Sequence, residues 1–324
     1  MGKKQNYFVG VDLGGTKLLA VVYDEGNEPQ GRAKKKVGKA RDNEAVLERM
    51  IEVIQEAFDD AKVKQSEVAG IGVACPGPVD FENGIVLETP NLDLDNFAIR
   101  DRLSEALGIP VFLENDVNAG TYGEYIAGAG RGFQHIVGLF PGTGLGGGMI
   151  LDGRLFRGAT GGAGEIGHMI IQVDGRRCGC GQYGCLEAMA SRTALAKDLV
   201  ALAATGGAPY VQKKAGSDFA AIKSSVIRKA WDDGEPAVRE LVDRSARHLG
   251  IGMANCVNIF NPELIVIGGG LVEKLGEPYI EGAERAMRDH AMARLVSIVK
   301  VKQAELGDDS TVIGAAALAR EGSP

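Results

Sequence analysis

Two short apolar strands in this chain each run into a glycine-rich tip and turn back, and this repeated device constrains the fold more than any other feature. Tyr7 to Leu13 reads as a buried strand, Gly14-Gly15 as a tight turn, and Leu18 to Tyr23 as the strand running back. Further on, Ile136 to Phe140 reads as a strand, Gly142 to Gly148 as a glycine-rich turn, and Met149 to Leu151 as the returning strand. The recurrence suggests an internal duplication.

Strands and helices alternate around the tips. Apolar residues at helical spacing run from Asn43 to Ala61, with Asn43 as the cap. A strand follows at Val68 to Ala74, a helix at Ile99 to Leu107 ended by Gly108 and Pro110, and a strand at Val111 to Leu113. Later elements are helices at Thr193 to Ala204, Ala237 to Asn258 and Glu277 to His290, with a strand at Leu264 to Ile267. This order predicts α/β architecture, and two similar halves facing each other would leave a cleft for a ligand. Residues 205–218, rich in Gly, Ala and Lys, predict an exposed loop insertion.

Composition excludes several classes. The chain of 324 residues is 45% apolar, as expected of a protein with a filled core. Its 36 Lys and Arg against 43 Asp and Glu give a net charge of -7, which offers no general attraction to nucleic acid or an anionic membrane. The basic run Arg32 to Arg41 reads as a solvated strand or loop edge, whose lysines discourage edge pairing. No secretory signal, myristoylation pattern or membrane-length apolar run is found, so a cytoplasmic protein is expected. Cys178, Cys180 and Cys185 cluster among five cysteines, an odd total that points to a metal site in a reducing compartment. Cys75 and Cys256 sit in apolar surroundings and read as buried bystanders.

The tips suit phosphate. In Asp12-Leu-Gly-Gly-Thr-Lys17, Gly14 and Gly15 are expected to adopt backbone angles closed to other residues and to bring N–H groups near phosphate oxygens. Thr16 adds a hydroxyl, Lys17 a positive charge, and Asp12 a carboxylate for Mg²⁺. Taken alone this stretch equally suits a hairpin turn that needs glycine for shape. The second tip decides between them: Gly142, Thr143 and Gly144 open a run with five glycines in seven residues, more than a two-residue turn requires. Gly268, Gly269 and Gly270 after the strand at Ile267 would let a base or ribose lie against bare backbone. Neither tip has the spacing of a P-loop or a dinucleotide fingerprint.

His168 with Cys178, Cys180 and Cys185 supplies one imidazole and three thiolates, the set that closes a structural zinc site. A disulfide with a free thiol, or reduced cysteines without metal, are the alternatives. Four protein ligands leave no open position for catalysis. Glu114-Asn-Asp-Val-Asn-Ala119 ends a strand and begins a helix, where open α/β sheets meet ligands. One cap explains Asn115 or Asp116 but not the whole group. Phosphoryl transfer needs a carboxylate to accept the alcohol proton, and Asp116 is the choice, with Asn115 holding a neighbouring hydroxyl. Glu165 and Glu187 flank the zinc ligands and suit paired sugar hydroxyls.

In this order, Asp12 to Lys17, Glu114 to Ala119, Gly142 to Gly148, Gly164 to His168 with Cys178 to Glu187, and Ile267 to Gly270 closely resemble the ROK family of sugar kinases and repressors, in particular its bacterial glucokinase branch. The resemblance implies an actin-like ATPase fold with two ribonuclease-H-like α/β domains around a cleft, a small one at 1–118 with 306–324 and a large one at 119–305 carrying the zinc loop. It implies ATP-dependent phosphorylation of a hexose at the 6-hydroxyl, glucose first, with N-acetylmannosamine, N-acetylglucosamine, mannose or fructose as alternatives. ATP, Mg²⁺ and structural zinc are the implied cofactors, polyphosphate a further donor, and a homodimer or homotetramer the implied assembly. Asp116 is the implied base, and Asn115, Glu165, His168 and Glu187 the sugar contacts, with His168 using one ring nitrogen for zinc and the other for a sugar hydroxyl. Gly77 and Asn91 match family segments near the sugar. Only six residues precede Tyr7, so the DNA-binding helix-turn-helix of ROK repressors is not expected, and a non-catalytic sugar sensor is the remaining rival.

Overall fold

Each half of the chain begins with a strand too apolar to face water, and each half builds a sheet around it. The computed structural model describes residues 6–38, 42–89 and 92–322. It divides into two units: one holds the described residues up to Gly132, Arg154–Ala163 and the chain from Glu305 on, and the other holds Phe133–Gly153 and Gly164–Ala304.

In the first unit the strands are β1 (Tyr7–Leu13), β2 (Lys17–Tyr23), β3 (Pro29–Lys36), β4 (Val68–Cys75), the small-sheet strands β5 (Val79–Asp80), β6 (Ile85–Glu88) and β7 (Asp95–Phe97), and β8 (Val111–Asn115). The main sheet has the order β3-β2-β1-β4-β8, with β1, β4 and β8 parallel and β2 and β3 antiparallel to their neighbours. Helices Asn43–Ala61 and Ile99–Leu107 cover one face through Val46, Met50, Ile54 and Leu103. On the other face, Asp309–Glu321 lies so close that a Cβ on Gly10 would stand 1.8 Å from the Val312 carbonyl oxygen. The basic run as far as Lys36 lies on the edge strand β3, as its charges predict, and Lys35 there is paired with Glu52 and Glu56, while Lys39 to Arg41 lie outside the described residues. Asp42, not Asn43, caps the first helix: its side chain accepts the Ala45 N–H.

In the second unit, β9 (Ile136–Pro141) and β10 (Leu145–Leu151) form a hairpin, and β11 (Leu264–Ile267) and β12 (Lys300–Gln303) continue the sheet in parallel from β9. The order β10-β9-β11-β12 repeats β2-β1-β4-β8 of the first unit, which gives the suspected duplication a topological basis. Helix Pro236–Phe260 packs on Glu277–His290 so closely that a Cβ on Gly250 would stand 2.2 Å from the Ala283 carbonyl oxygen.

Two further sequence expectations are corrected. Residues 205–218 are not a loop insertion: Pro209–Ala215 is a helix, with Pro209 at its first turn and Val211 buried. The turn expected over Gly142 to Gly148 is shorter, because β10 already begins at Leu145 and takes in Gly146, Gly147 and Gly148. Helix Asp116–Ala127 belongs to the first unit and packs backbone to backbone on Asp309–Glu321 where Gly123 and Gly314 meet. Among the described residues no helix is long and apolar enough to cross a membrane.

Candidate active site

The parallel register of the first sheet decides which residues share an edge. Asp12 on β1 stands level with Ala74 on β4, and Ala74 level with Glu114 on β8, so Asp12 and Glu114 lie two strand spacings apart, about 10 Å. Asp116 begins the helix one step beyond Asn115. Asn115 is its N-cap: the side-chain oxygen accepts the N–H groups of Val117 at 2.9 Å and Asn118 at 3.1 Å, and its amide donates to the Gly77 carbonyl at 3.2 Å. The cap therefore ties Gly77 to the junction. Asp116 Oδ1 also accepts the Val117 N–H at 2.9 Å. Asn91 lies outside the described residues.

Charge concentrates at the first tip. Burial pushes the Asp12 carboxyl up to about 7, and the neighbouring Asp116 carboxylate adds to this while Lys17 opposes it. Lys17 donates to Asp308 at 2.6 Å, which raises the lysine and lowers the aspartic acid relative to their usual ranges. The turn closes by Gly14 N–H donating to the Lys17 carbonyl at 3.0 Å. Neither Gly14 nor Gly15 has the positive φ expected of them, so the tip uses their lack of side chain rather than their range of angles. Thr16 at the tip is exposed.

Hydrogen bonds hold the second tip from one side. Arg192 donates its backbone N–H to the Gly142 carbonyl at 2.9 Å and its guanidinium to Thr143 Oγ1 at 2.6 Å, and Thr193 Oγ1 donates to the Thr143 carbonyl at 2.6 Å. Glu187 accepts the Leu145 N–H at 2.9 Å, and a Cβ on Gly144 would stand 2.4 Å from that carboxylate. Glycine at 144 is thus a matter of close approach. Gly269, the third candidate stretch, sits at φ +81° and opens the short helix Gly270–Leu275, while Gly268 lies against the Phe140 ring.

The four candidate metal ligands meet. One ligand atom from each of His168, Cys178, Cys180 and Cys185 lies within 4.8 Å of all the others. Cys180 Sγ to Cys185 Sγ is 3.7 Å, and Cys178 Sγ to His168 Nδ1 is 3.7 Å. A tetrahedron with Zn–S bonds of about 2.3 Å has edges of about 3.8 Å, so the set fits zinc. His168 turns Nδ1 toward the sulfurs and Nε2 toward Glu165, whose Oε2 is 3.7 Å away. Cys178 Sγ also reaches Glu187 Oε1 at 3.4 Å, which joins the metal loop to the second tip.

Sequence reasoning missed Arg157, Lys34, Asp308, Arg192 and Thr193. Arg157 pairs with Glu114 at 2.6 Å, and Lys34 and Asp308 feel Asp12. Arg192 and Thr193 carried a local signal, directly after Ser191, whose side chain caps their helix by accepting the Ala194 N–H. The rest are distant in sequence and carried none.

A model of the ROK family matches residues 8–322. The chain belongs to the ROK family. A Thermotoga maritima glucokinase is 36% identical over 318 residues, 97% of each chain. A Caldicellulosiruptor bescii xylose repressor is 32% identical over 321 residues, which cover 98% of this chain and 79% of the repressor. The solved ROK family glucokinase of Streptomyces griseus, in complex with glucose and AMPPNP, superimposes with a TM-score of 0.81 at 31% identity, over 98% of this chain and all of that one (100%). The fold is that of the actin-like ATPases.

Proposed function

We propose that this ROK protein is an ATP-dependent hexokinase that phosphorylates the 6-hydroxyl of a hexose, with glucose as the favoured substrate. The observation that carries this reading is the convergence of Asp12 and Asp116 at one sheet edge, close enough for the Asp116 carboxylate to raise Asp12. One carboxylate then serves the phosphate side and the other the acceptor. A sugar sensor needs no such pair. The glucokinase relatives match along the whole chain.

In the mechanism, Asp116 accepts the proton of the attacking hydroxyl as the oxygen moves toward the γ-phosphorus in line with the leaving ADP. Asn115 fixes the helix start that carries Asp116 and offers its amide to a neighbouring hydroxyl. Gly77, Glu165, His168 and Glu187 are assigned to the sugar, as is Asn91. The backbone and hydroxyls of Gly14, Gly15, Thr16, Gly142, Thr143 and Gly144, with Lys17, are assigned to phosphate, and Gly268 to Gly270 to the nucleoside. Carboxylate oxygen is the donor that Mg²⁺ takes, so Asp12 fits its role as holder of the ion, which when bound neutralises charge on the phosphates. Zinc on His168, Cys178, Cys180 and Cys185 is assigned a structural role.

The test is formation of hexose phosphate from glucose, mannose, fructose, N-acetylglucosamine, N-acetylmannosamine and galactose, first with ATP and then with polyphosphate as donor. Turnover with glucose above the others is expected, and no turnover with any pair sinks the reading. Asp116→Ala is expected to lower kcat by roughly 10²-fold or more with sugar binding retained. Near-wild-type kcat removes Asp116 from the mechanism. The Caldicellulosiruptor relative makes sugar binding without turnover the second reading. Sugar-induced thermal stabilisation with no formation of hexose phosphate would favour it.

A further inference from the structure

Glu114 is an anomaly in its strand. A carboxylate is seldom buried without a partner, yet at this position of β8, the edge strand paired with β4, Glu114 lies only 4% exposed. Each of its oxygens has a partner. Oε1 accepts the backbone N–H of Asn115 at 3.0 Å and the side-chain amide of Asn118 at 3.0 Å, and Oε2 accepts Arg157 Nε at 2.6 Å. The Arg157 side chain is itself 15% exposed, and its guanidinium stands 5.1 Å from the centre of the Phe81 ring.

Stability alone does not explain such a pair. Two buried charges lose their hydration, and apolar residues of similar volume are commonly as stable in their place. What charge adds here is direction. The Glu114 oxygens hold the N–H of Asn115 and the side chain of Asn118, the residues on either side of Asp116 and Val117, while Arg157 fixes the carboxylate from behind. We propose that Glu114 and Arg157 are a positioning pair that holds the Asn115–Asp116 junction in its catalytic geometry, Arg157 acting on Asp116 through Glu114. Neither touches the reacting atoms. A misplacement of 1 Å at such a site can cost on the order of 10²-fold in rate, so a rigid support has a kinetic value that its effect on stability does not measure.

The chain path supports this role. Arg157 belongs to Arg154–Ala163, a segment of the first unit whose neighbours before and after lie in the second. The segment is fixed locally by the Ala163 N–H donating to the Arg157 carbonyl at 3.0 Å and by the Phe81 ring against Gly161. It leads directly into Gly164-Glu165 and His168, the residues assigned to the sugar. One arginine thus anchors, beside the base, the connection that delivers the sugar contacts.

The inference rests on the kinase reading, and the experiment separates the two. Turnover and Tm are measured for the wild type, Glu114→Gln, Arg157→Leu, the double variant Glu114→Gln with Arg157→Leu, and Arg157→Leu combined with Asp116→Ala. Arg157→Leu alone strands a buried carboxylate and should lower Tm. The double variant leaves no charge and should regain most of that loss, yet its kcat should remain roughly 10-fold or more below wild type, with KM for ATP unchanged. In the Asp116→Ala background Arg157→Leu should cost little further kcat, because the residue it positions is gone. A double variant with wild-type kcat, or an equal loss with and without Asp116, overturns the positioning role and leaves the kinase reading standing. A wild type inactive on every hexose sinks the kinase reading first, and this role with it.

Discussion

The two hairpin tips share an outline and differ in what holds them. Around the first, the support is charge: Asp12 at the end of β1, Lys17 bonded to Asp308 at 2.6 Å, and Lys34 and Asp116 within electrostatic reach. Among the described residues the second is held without an ion pair, by the backbone N–H and guanidinium of Arg192, by the Thr193 hydroxyl, and by Glu187, which also touches the candidate metal ligand Cys178 at 3.4 Å. One tip takes its shape from the register of β1 and β2, and its charged groups gather around that turn. The other depends on a loop with few apolar residues and leans on the cysteine cluster for its shape. The tips should therefore fail in different ways.

The largest effect should come from metal removal. Structural zinc contributes on the order of 10 kcal/mol, and the loop from Met169 to Leu186 is otherwise closed mainly by backbone bonds such as Leu186 N–H to the Met169 carbonyl at 2.9 Å. Purified protein is expected to hold about one zinc per chain, from one four-ligand site. Cys185→Ser, or stripping with a chelator, should release it and abolish turnover, because Glu187 and the second tip lose their support. Metal-free protein with intact activity breaks the contrast between the tips. A smaller but specific loss is expected for Asp12→Asn: kcat down by roughly 10²-fold, as for the removal of other electrostatic stabilisers, with zinc content unchanged. If zinc content falls with it, the tips are not separately supported.

Much of this contrast is legible in sequence, and the part that is not has a physical reason. Strand β1 over Tyr7–Leu13 and the helices Asn43–Ala61 and Glu277–His290 appear where their periodicity places them, because apolar spacing is a local signal. The candidate zinc ligands His168, Cys178, Cys180 and Cys185 are close in sequence, and their spacing brings them to notice before the fold does. The pairs at the first tip and at the Asp116 junction are hidden, since Lys17 and Asp308 are 291 residues apart and Arg157 is 43 from Glu114. No local pattern encodes a partner at that distance. The helix at Pro209–Ala215 was missed because Gly206 and Gly207 beside Lys213 and Lys214 look like a loop, while the burial of Val211 shows only in the tertiary structure. Gly146 to Gly148 read as a longer turn for a related reason: glycine in β10 answers close packing, as where a Cβ on Gly147 would stand 2.8 Å from the Gly164 carbonyl oxygen.

The smallest expected effect is the sharpest test of the charged tip. Folding raises Asp12 from its ordinary 3.8 to about 7, so between those values the folded chain holds a proton that the unfolded chain has released. Stability linked to Asp12 is therefore complete below about pH 3.8, declines as pH rises toward 7, and levels off above it. Asn at this position does not titrate. Asp12→Asn should match the wild type in Tm at the acid end and exceed it at pH 8 by roughly a few °C, the difference opening across that interval. Mg²⁺ should raise the wild-type Tm at pH 8 and leave the variant unmoved, because the ion favours the ionised carboxylate that burial opposes. Parallel Tm curves for the two proteins would show that Asp12 is not held away from its ordinary range, and the charge-based account of the first tip would fail.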